Sequence, residues 1–198
     1  MFIIESMKQK LEAMTGAGQP TAVQAQTMLR ERAPETRYFL DDGSTPNNPL
    51  SFLLYKSIVH LDPQFDPAAV FEVLFAHNGW GGAWRNGIYD YLHYHSQVHE
   101  VLGIARGQGR VRFGGDHGIE LDLVAGDVAV LPAGTGHQRL MASQDLLVVG
   151  AYPREGRCDE CRGAPDEHAR ALKSIPNVPV PRADPLFGVD GPLPKLWN

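Results

Sequence analysis

Gly126-Asp-Val-Ala-Val-Leu-Pro132-Ala-Gly134-Thr-Gly-His137 carries more fold information than any other segment of the chain. Gly126-Asp127 has the chemistry of a tight turn, Val128 to Leu131 that of a short buried strand, and Pro132-Ala-Gly134 that of a stiff bend ending near a histidine. Turns of this kind occur in any β protein, so the segment gains meaning only beside a second one. Histidine is unevenly spread: His93, His95 and His99 all fall within Tyr91-Leu-His-Tyr-His-Ser-Gln-Val-His-Glu100. On a strand, residues two apart share a face with Cα atoms about 7 Å apart, so His93 and His95 can reach one cation. A helix competes with that reading. His95 and His99 stand at i, i+4, and Ile88, Leu92, His95, Val98 and Leu102 would make a stripe. The helical version lacks a glutamate directly after its first histidine, and Gly103 and Gly107 sit badly in it. Local pattern leans to the strand and leaves the helix open.

From Ile88 to Tyr152 the chain is a series of short apolar runs broken by Gly107/Gly109, Gly114/Gly115 and Ala125-Gly126-Asp127, the texture of β-hairpins in a sandwich or barrel. Ile119, Leu121 and Leu123 alternate with Glu120 and Asp122, as in a strand with one buried face. Upstream, residues 5–14 and 21–33 are rich in helix formers and are separated by Gly16, Gly18 and Pro20, which predicts two short helices. Asp41 to Pro49 is turn chemistry, and Leu50 to His60 suits a strand. Asp66 as N-cap, Pro67 at the first position, the stripe Val70, Phe71, Leu74, Phe75 and the stop Asn78-Gly79 predict a helix over 67–77. Trp80 and Trp84 fall in a glycine-rich loop suited to core or lid packing. Ser174 to Asn198 holds six prolines among apolar residues, which predicts an extended strap packed on the barrel or on a neighbouring subunit.

Taken together, Gly87-(five residues)-His93-Tyr-His95-(four residues)-Glu100-(six residues)-Gly107 and the Gly126–His137 segment resemble both halves of the pattern by which the cupin superfamily is identified. That resemblance, which spans about Ile88 to Ala151, implies an all-β double-stranded β-helix, a jelly-roll barrel. Here the barrel would carry a short helical N-terminal arm and one additional helix. It also implies that His93, His95, Glu100 and His137 bind a metal, with His99 in reserve because the spacing before the acidic ligand varies. Met141 stands where the second motif often has asparagine. The flanks, Pro46-Asn-Asn, Asn78-Gly-Trp, Trp84-Arg-Asn-Gly-Ile-Tyr-Asp90, Val149-Gly-Ala-Tyr-Pro153 and Asp184-Pro-Leu-Phe-Gly188, are similar to those of the narrower YjlB-like bacterial cupins. The expected organisation is a single domain over 1–198, with the arm at 1–34, the barrel at 35–153, and a loop and proline-rich strap at 154–198.

Three neutral imidazoles and one carboxylate leave two positions of an octahedral shell for water or substrate, a set that suits Fe, Mn, Ni, Co or Zn as the divalent ion. Tyr89 and Tyr91 share strand parity with His93 and His95 and, with Arg139, are cavity candidates, although packing or solvation is the ordinary role of such residues. Cys158-x-x-Cys161 lacks a following helix or a second cysteine pair and reads as two reduced thiols in a loop.

The 198 residues carry a net charge of −5 with a pI near 5.9 and no cluster of lysine and arginine, which speaks against nucleic-acid or anionic-membrane partners. No apolar stretch approaches a membrane span and no signal peptide is visible, so the expected compartment is the cytoplasm. The function expected is a metal-dependent enzyme, oxygen-using or isomerising, on a small acidic or hydroxylated molecule. A non-enzymatic ligand- or metal-binding module is the alternative, and a homodimer the expected assembly.

Overall fold

The computed structural model describes residues 18–198; the helix expected over 5–14 lies outside them. In chain order the elements are α1 (Ala22–Thr27), β1 (Glu35–Phe39), β2 (Asn48–Tyr55), α2 (Pro67–His77), β3 (Trp80–Asn86), β4 (Glu100–Arg106), β5 (Gln108–Phe113), β6 (Ile119–Val124), β7 (Val128–Leu131), β8 (His137–Ala142), β9 (Leu147–Pro153), α3 (Pro165–Ser174), a 3₁₀ turn (Ile175–Asn177) and α4 (Pro192–Leu196). A six-stranded sheet runs β1-β2-β7-β4-β9-β3 and a three-stranded sheet runs β6-β5-β8, with every pairing antiparallel.

The pleat assigns the side chains. Phe52 and Leu54, Leu102 and Ile104, Ala129 and Leu131 point from the larger sheet to one core, where Val111, Phe113 and Leu123 of the smaller sheet meet them. Their sequence neighbours Leu53 and Tyr55, Val101 and Ala105, Val128 and Val130 point the other way, onto Val70, Phe71, Leu74 and Phe75 of α2. Both faces of β4 and β7 are therefore buried, which is why they read as continuous apolar runs while β6 alternates. This is the jelly-roll barrel, with α2 closing its outer face. At Gly103 a Cβ would stand 2.5 Å from Phe71 Cδ1, so glycine lets helix and sheet approach.

Helix α2 begins and ends where its caps predict: the Asp66 carboxylate accepts from Ala68 N–H, Pro67 holds the first position, and Gly79 follows at φ +84°. Other boundaries differ from expectation. The helix expected over 21–33 stops at Thr27, because Leu29 bridges to Val59 and the Arg30 N–H bonds the Ile58 carbonyl. The strand expected over 50–60 begins at Asn48 and ends at Tyr55, because Ser57, at φ +48°, turns to donate its N–H to the Asp127 carboxylate. Trp80 and Trp84 lie on a strand, β3; its glycines form an irregularity in the pairing with β9 between Gly81 and Trp84. Two helices beyond α2 interrupt the predicted C-terminal loop and strap. Both start at a proline, and in α3 the Glu167 carboxylate accepts from the Ala164 N–H. The remainder does strap the barrel. Asp184 accepts from the Tyr55 hydroxyl and from the N–H groups of Leu186, Phe187 and Leu193, and the Trp197 indole donates to the Ser51 carbonyl at 2.8 Å. Among the described residues no helix is long and apolar enough to cross a membrane.

Candidate metal centre

The site is built where the irregular stretch carrying His93 and His95 meets the first residues of β4 and β8. His93 and His137 pair as an isolated antiparallel bridge, each N–H reaching the other's carbonyl at 3.2 and 2.9 Å. The Gly134 N–H donates to the His95 carbonyl at 2.7 Å, so the Pro132–Gly134 bend is fastened to the His-x-His segment. From the far side Asn47 and Asn48 hold the same bend. The Asn47 N–H bonds the Gly134 carbonyl at 3.1 Å, and the Asn48 amide donates to the Ala133 carbonyl at 2.8 Å. The His-x-His segment is thus extended, as the strand reading requires, but it is held by bridges instead of a regular ladder.

Each of the three histidines turns Nδ1 to a main-chain carbonyl: His93 to Tyr91 at 3.4 Å, His137 to Thr135 at 3.2 Å, and His95 to Asp159. With Nδ1–H donating, the Nε2 lone pairs are left for a common point, and one ring nitrogen from each histidine lies within 4.8 Å of the others. Glu100 opens β4 with the parity of Leu102 and Ile104, which places it inside the barrel. Its Oε2 is 3.5 Å from His95 Nε2 and 3.4 Å from His137 Nε2. That oxygen is buried without a hydrogen-bond partner, an arrangement whose desolvation a cation would offset. Three imidazole nitrogens and one carboxylate oxygen converging in this way fit a divalent transition metal.

The electrostatics follow from that crowding. Burial opposes the charged form of His95, but Glu100, the Cys158 thiol and the Asp159 carbonyl outweigh it and push the pKa up to about 11. Burial and the neighbouring imidazoles His93 and His95 bring His137 down to about 3, against the pull of Glu100. His93 is lowered by burial and by His95. Burial alone would raise Glu100; His95 foremost, then His137 and His93, hold it below the usual carboxylate value. The negative charge of Glu100 thus favours a proton on His95, and an ion binding at Nε2 would take that proton's place.

A cavity of about 430 Å³ opens onto these four residues. Trp84, Ile88 and Leu102 belong to its apolar lining, and Tyr152, Cys158, Asp159 and Glu160 also reach it. Of the residues singled out in the sequence, Tyr89 lines the cavity, stacked on Tyr91 with ring centroids 4.8 Å apart and edge-on to His93 at 5.1 Å. Tyr91 is off the wall, its ring under the Arg162 guanidinium at 4.0 Å and its hydroxyl on Glu160. Arg139 is not a cavity residue either: it donates to the Ile88 carbonyl at 2.9 Å and pairs with Asp90 at 3.7 Å. His99 has the parity of Val101 and points out of the barrel, where it packs on Trp197 at 4.8 Å between ring centroids and accepts from the Ala133 N–H at 3.0 Å. Sequence reading passed over Asp159, Tyr152 and the cavity position of Cys158. The Cys-x-x-Cys pair reads in the sequence as an ordinary loop because its partners lie sixty residues away.

No family model matches the chain. It is 35% identical over 168 residues to the protein described as uncharacterised protein YjlB of Bacillus subtilis (strain 168), covering 84% of this chain and 98% of that one. Among solved structures it is similar to acireductone dioxygenase from Bacillus anthracis with a cadmium ion in its active centre. That likeness has 18% identity and a TM-score of 0.36, over 53% of this chain and 80% of that one. A deletion mutant of Bacillus subtilis oxalate decarboxylase OxdC is similar at 16% identity and a TM-score of 0.35, over 64% of this chain. The chain spans only 30% of that longer protein.

Proposed function

We propose, from the premise that this chain belongs to the YjlB family of cupins, that it is a metal-dependent enzyme, oxygen-using or isomerising, acting on a small acidic or hydroxylated molecule. His93, His95, Glu100 and His137 would hold the divalent ion. The observation that carries this reading is the buried, partnerless Oε2 of Glu100, set between two imidazole nitrogens at 3.4 and 3.5 Å on the wall of an open cavity. An open cavity at the donor set favours catalysis over a sealed storage or structural site.

Bound there, such an ion supplies a Lewis acid for a substrate that carries oxygen donors. The chain's own residues supply the rest. Trp84, Ile88 and Leu102 offer apolar lining for a carbon skeleton. The Trp84 indole N–H donates to the Tyr152 hydroxyl at 2.9 Å, which fixes that hydroxyl at the cavity, where its own proton faces the Cys158 sulfur. Arg85, though it lines the cavity, is committed to Glu72 through two bonds at 2.6 and 2.7 Å and to Asp66 at 2.6 Å, so substrate oxygens rely on the ion for positive charge.

Elemental analysis of tag-free protein purified without chelators tests the reading. About one transition metal per chain is expected, lost in His95→Ala and in His137→Ala, which lie on separate segments. Protein without metal, or variants that bind it equally well, would remove the enzyme reading and leave the barrel. We further propose a homodimer, for which light scattering should give twice the 21.8 kDa chain mass; a monomer at working concentration refutes it.

A further inference from the structure

We propose that Cys158 and Cys161 form a redox modification site whose oxidation to a disulfide unfastens His95 from Asp159 and weakens the metal centre; the inference rests on the metal reading given above. These are the only two cysteines in the chain, and both are free thiols. Between them stands Asp159, which holds three consecutive residues of the His-x-His segment. Its carbonyl accepts from His95 Nδ1. Its carboxylate accepts from the Ser96 N–H at 2.8 Å, the Ser96 hydroxyl at 2.7 Å and the Gln97 N–H at 3.2 Å.

The two sulfurs sit at opposite ends of this clamp. Cys158 is exposed at the cavity, with Sγ 3.9 Å from the Asp159 carbonyl oxygen and 3.8 Å from His95 Nδ1. Cys161 is buried, with Sγ 3.5 Å from the Asp159 carboxylate, and its backbone is paired in both directions with Tyr94 at 2.9 Å. A disulfide requires sulfurs about 2.05 Å apart and Cα atoms within about 7 Å. Each sulfur instead contacts a different part of Asp159, Cys158 its carbonyl and Cys161 its carboxylate, so drawing the two together displaces the residue that both touch. Because Tyr94 anchors Cys161, it is Cys158 that must move, and the Asp159 carbonyl leaves His95 with it.

The electrons go to a low-molecular-weight disulfide. The exposed Cys158 sulfur attacks one sulfur of that oxidant, forming a mixed disulfide and releasing one thiol. The Cys161 sulfur then attacks Cys158 and expels the second thiol, its own proton completing that product. Two protein thiols are oxidised and one small disulfide is reduced to two thiols. His95 then lacks the partner that orients its ring and reserves Nε2 for the metal, a kind of loss that ordinarily costs 10–100-fold in affinity.

The experiment equilibrates the full-length protein with oxidised or reduced glutathione and reads three quantities: thiol count, intact mass, and metal affinity by chelator competition. Oxidation should remove both thiols with no glutathione attached, lower the affinity about 10–100-fold, and be reversed by dithiothreitol. Cys161→Ser, which lies off the cavity wall and can form only the glutathione adduct, should match the reduced protein's affinity before oxidation and should show the adduct mass, not the disulfide, after it. Asp159→Ala should bind metal weakly even when reduced, and oxidation should change it little further. A disulfide that leaves affinity unchanged, or a stable glutathione adduct in place of the disulfide, overturns the inference and leaves the metal reading standing. Reduced protein that takes up no metal overturns the metal reading and this inference with it.

Discussion

At the scale of single residues, the pleat of β4 divides two neighbours that the sequence leaves in competition. Glu100 faces the cavity and His99 faces Trp197, because successive side chains of a strand leave on opposite faces. The run Val101-Leu102 is apolar on both faces, so the alternation that would have revealed which residue points inward is invisible in the sequence. The buried position of His99 has a consequence for pH. Burial depresses its pKa from 6.5 to about 4, so between those values the unfolded chain binds a proton that the folded one refuses. Stability therefore falls as pH drops through the window, by about 3 kcal/mol in full. His99→Asn keeps an acceptor for the Ala133 N–H and removes the titration. Urea unfolding at pH 7 and pH 4 should show a smaller acid loss for this variant by about that amount, with metal content unchanged. A variant that loses its metal would instead place His99 among the ligands.

At the scale of elements, legibility tracks how local the determining interactions are. Helix α2 is written in its own caps and stripe, with its N-cap carboxylate only two residues from the N–H it binds. Strand β3 was hidden because Gly81 and Gly82 have no strand propensity; pairing with β9 overrides that, and Gly150 of β9 makes room for the Trp84 ring, which a Cβ there would meet at 2.1 Å. The approach of α2 to β4 at Gly103 is tight enough to test. A methyl group there meets the buried Phe71 ring, and overpacking of this sort costs about 1–3 kcal/mol. Gly103→Ala should lower the urea midpoint accordingly without altering the metal-to-chain ratio, since the contact lies on the face away from the cavity. An unchanged midpoint would show that α2 yields freely and does not buttress the sheet.

At the scale of the whole molecule, the C-terminal strap joins the outer face of the barrel to the chain end through one buried carboxylate. Asp184 accepts from Tyr55, Leu186, Phe187 and Leu193, and replacing it strands several buried donors at about 1–3 kcal/mol each. Asp184→Ala should release the strap ahead of global unfolding. That is visible as an early red shift of tryptophan fluorescence, since Trp197 is buried at the strap's end. A single transition coincident with loss of circular dichroism would show that strap and barrel unfold as one. Scale also explains what could be read beforehand. The sequence by itself determined the α2 helix, because caps and stripe act over a few residues; for the barrel and the converging histidines local pattern only leaned to a strand, and the spacing of two motifs resembling the cupin pattern pointed to them. The tertiary structure alone decided which of His99 and Glu100 faces the cavity, that Tyr91 and Arg139 stay off its wall, and that Asp159 and Cys158 stand beside His95. Those outcomes depend on which segments meet across the fold, and contacts between residues sixty positions apart leave no local pattern in the chain.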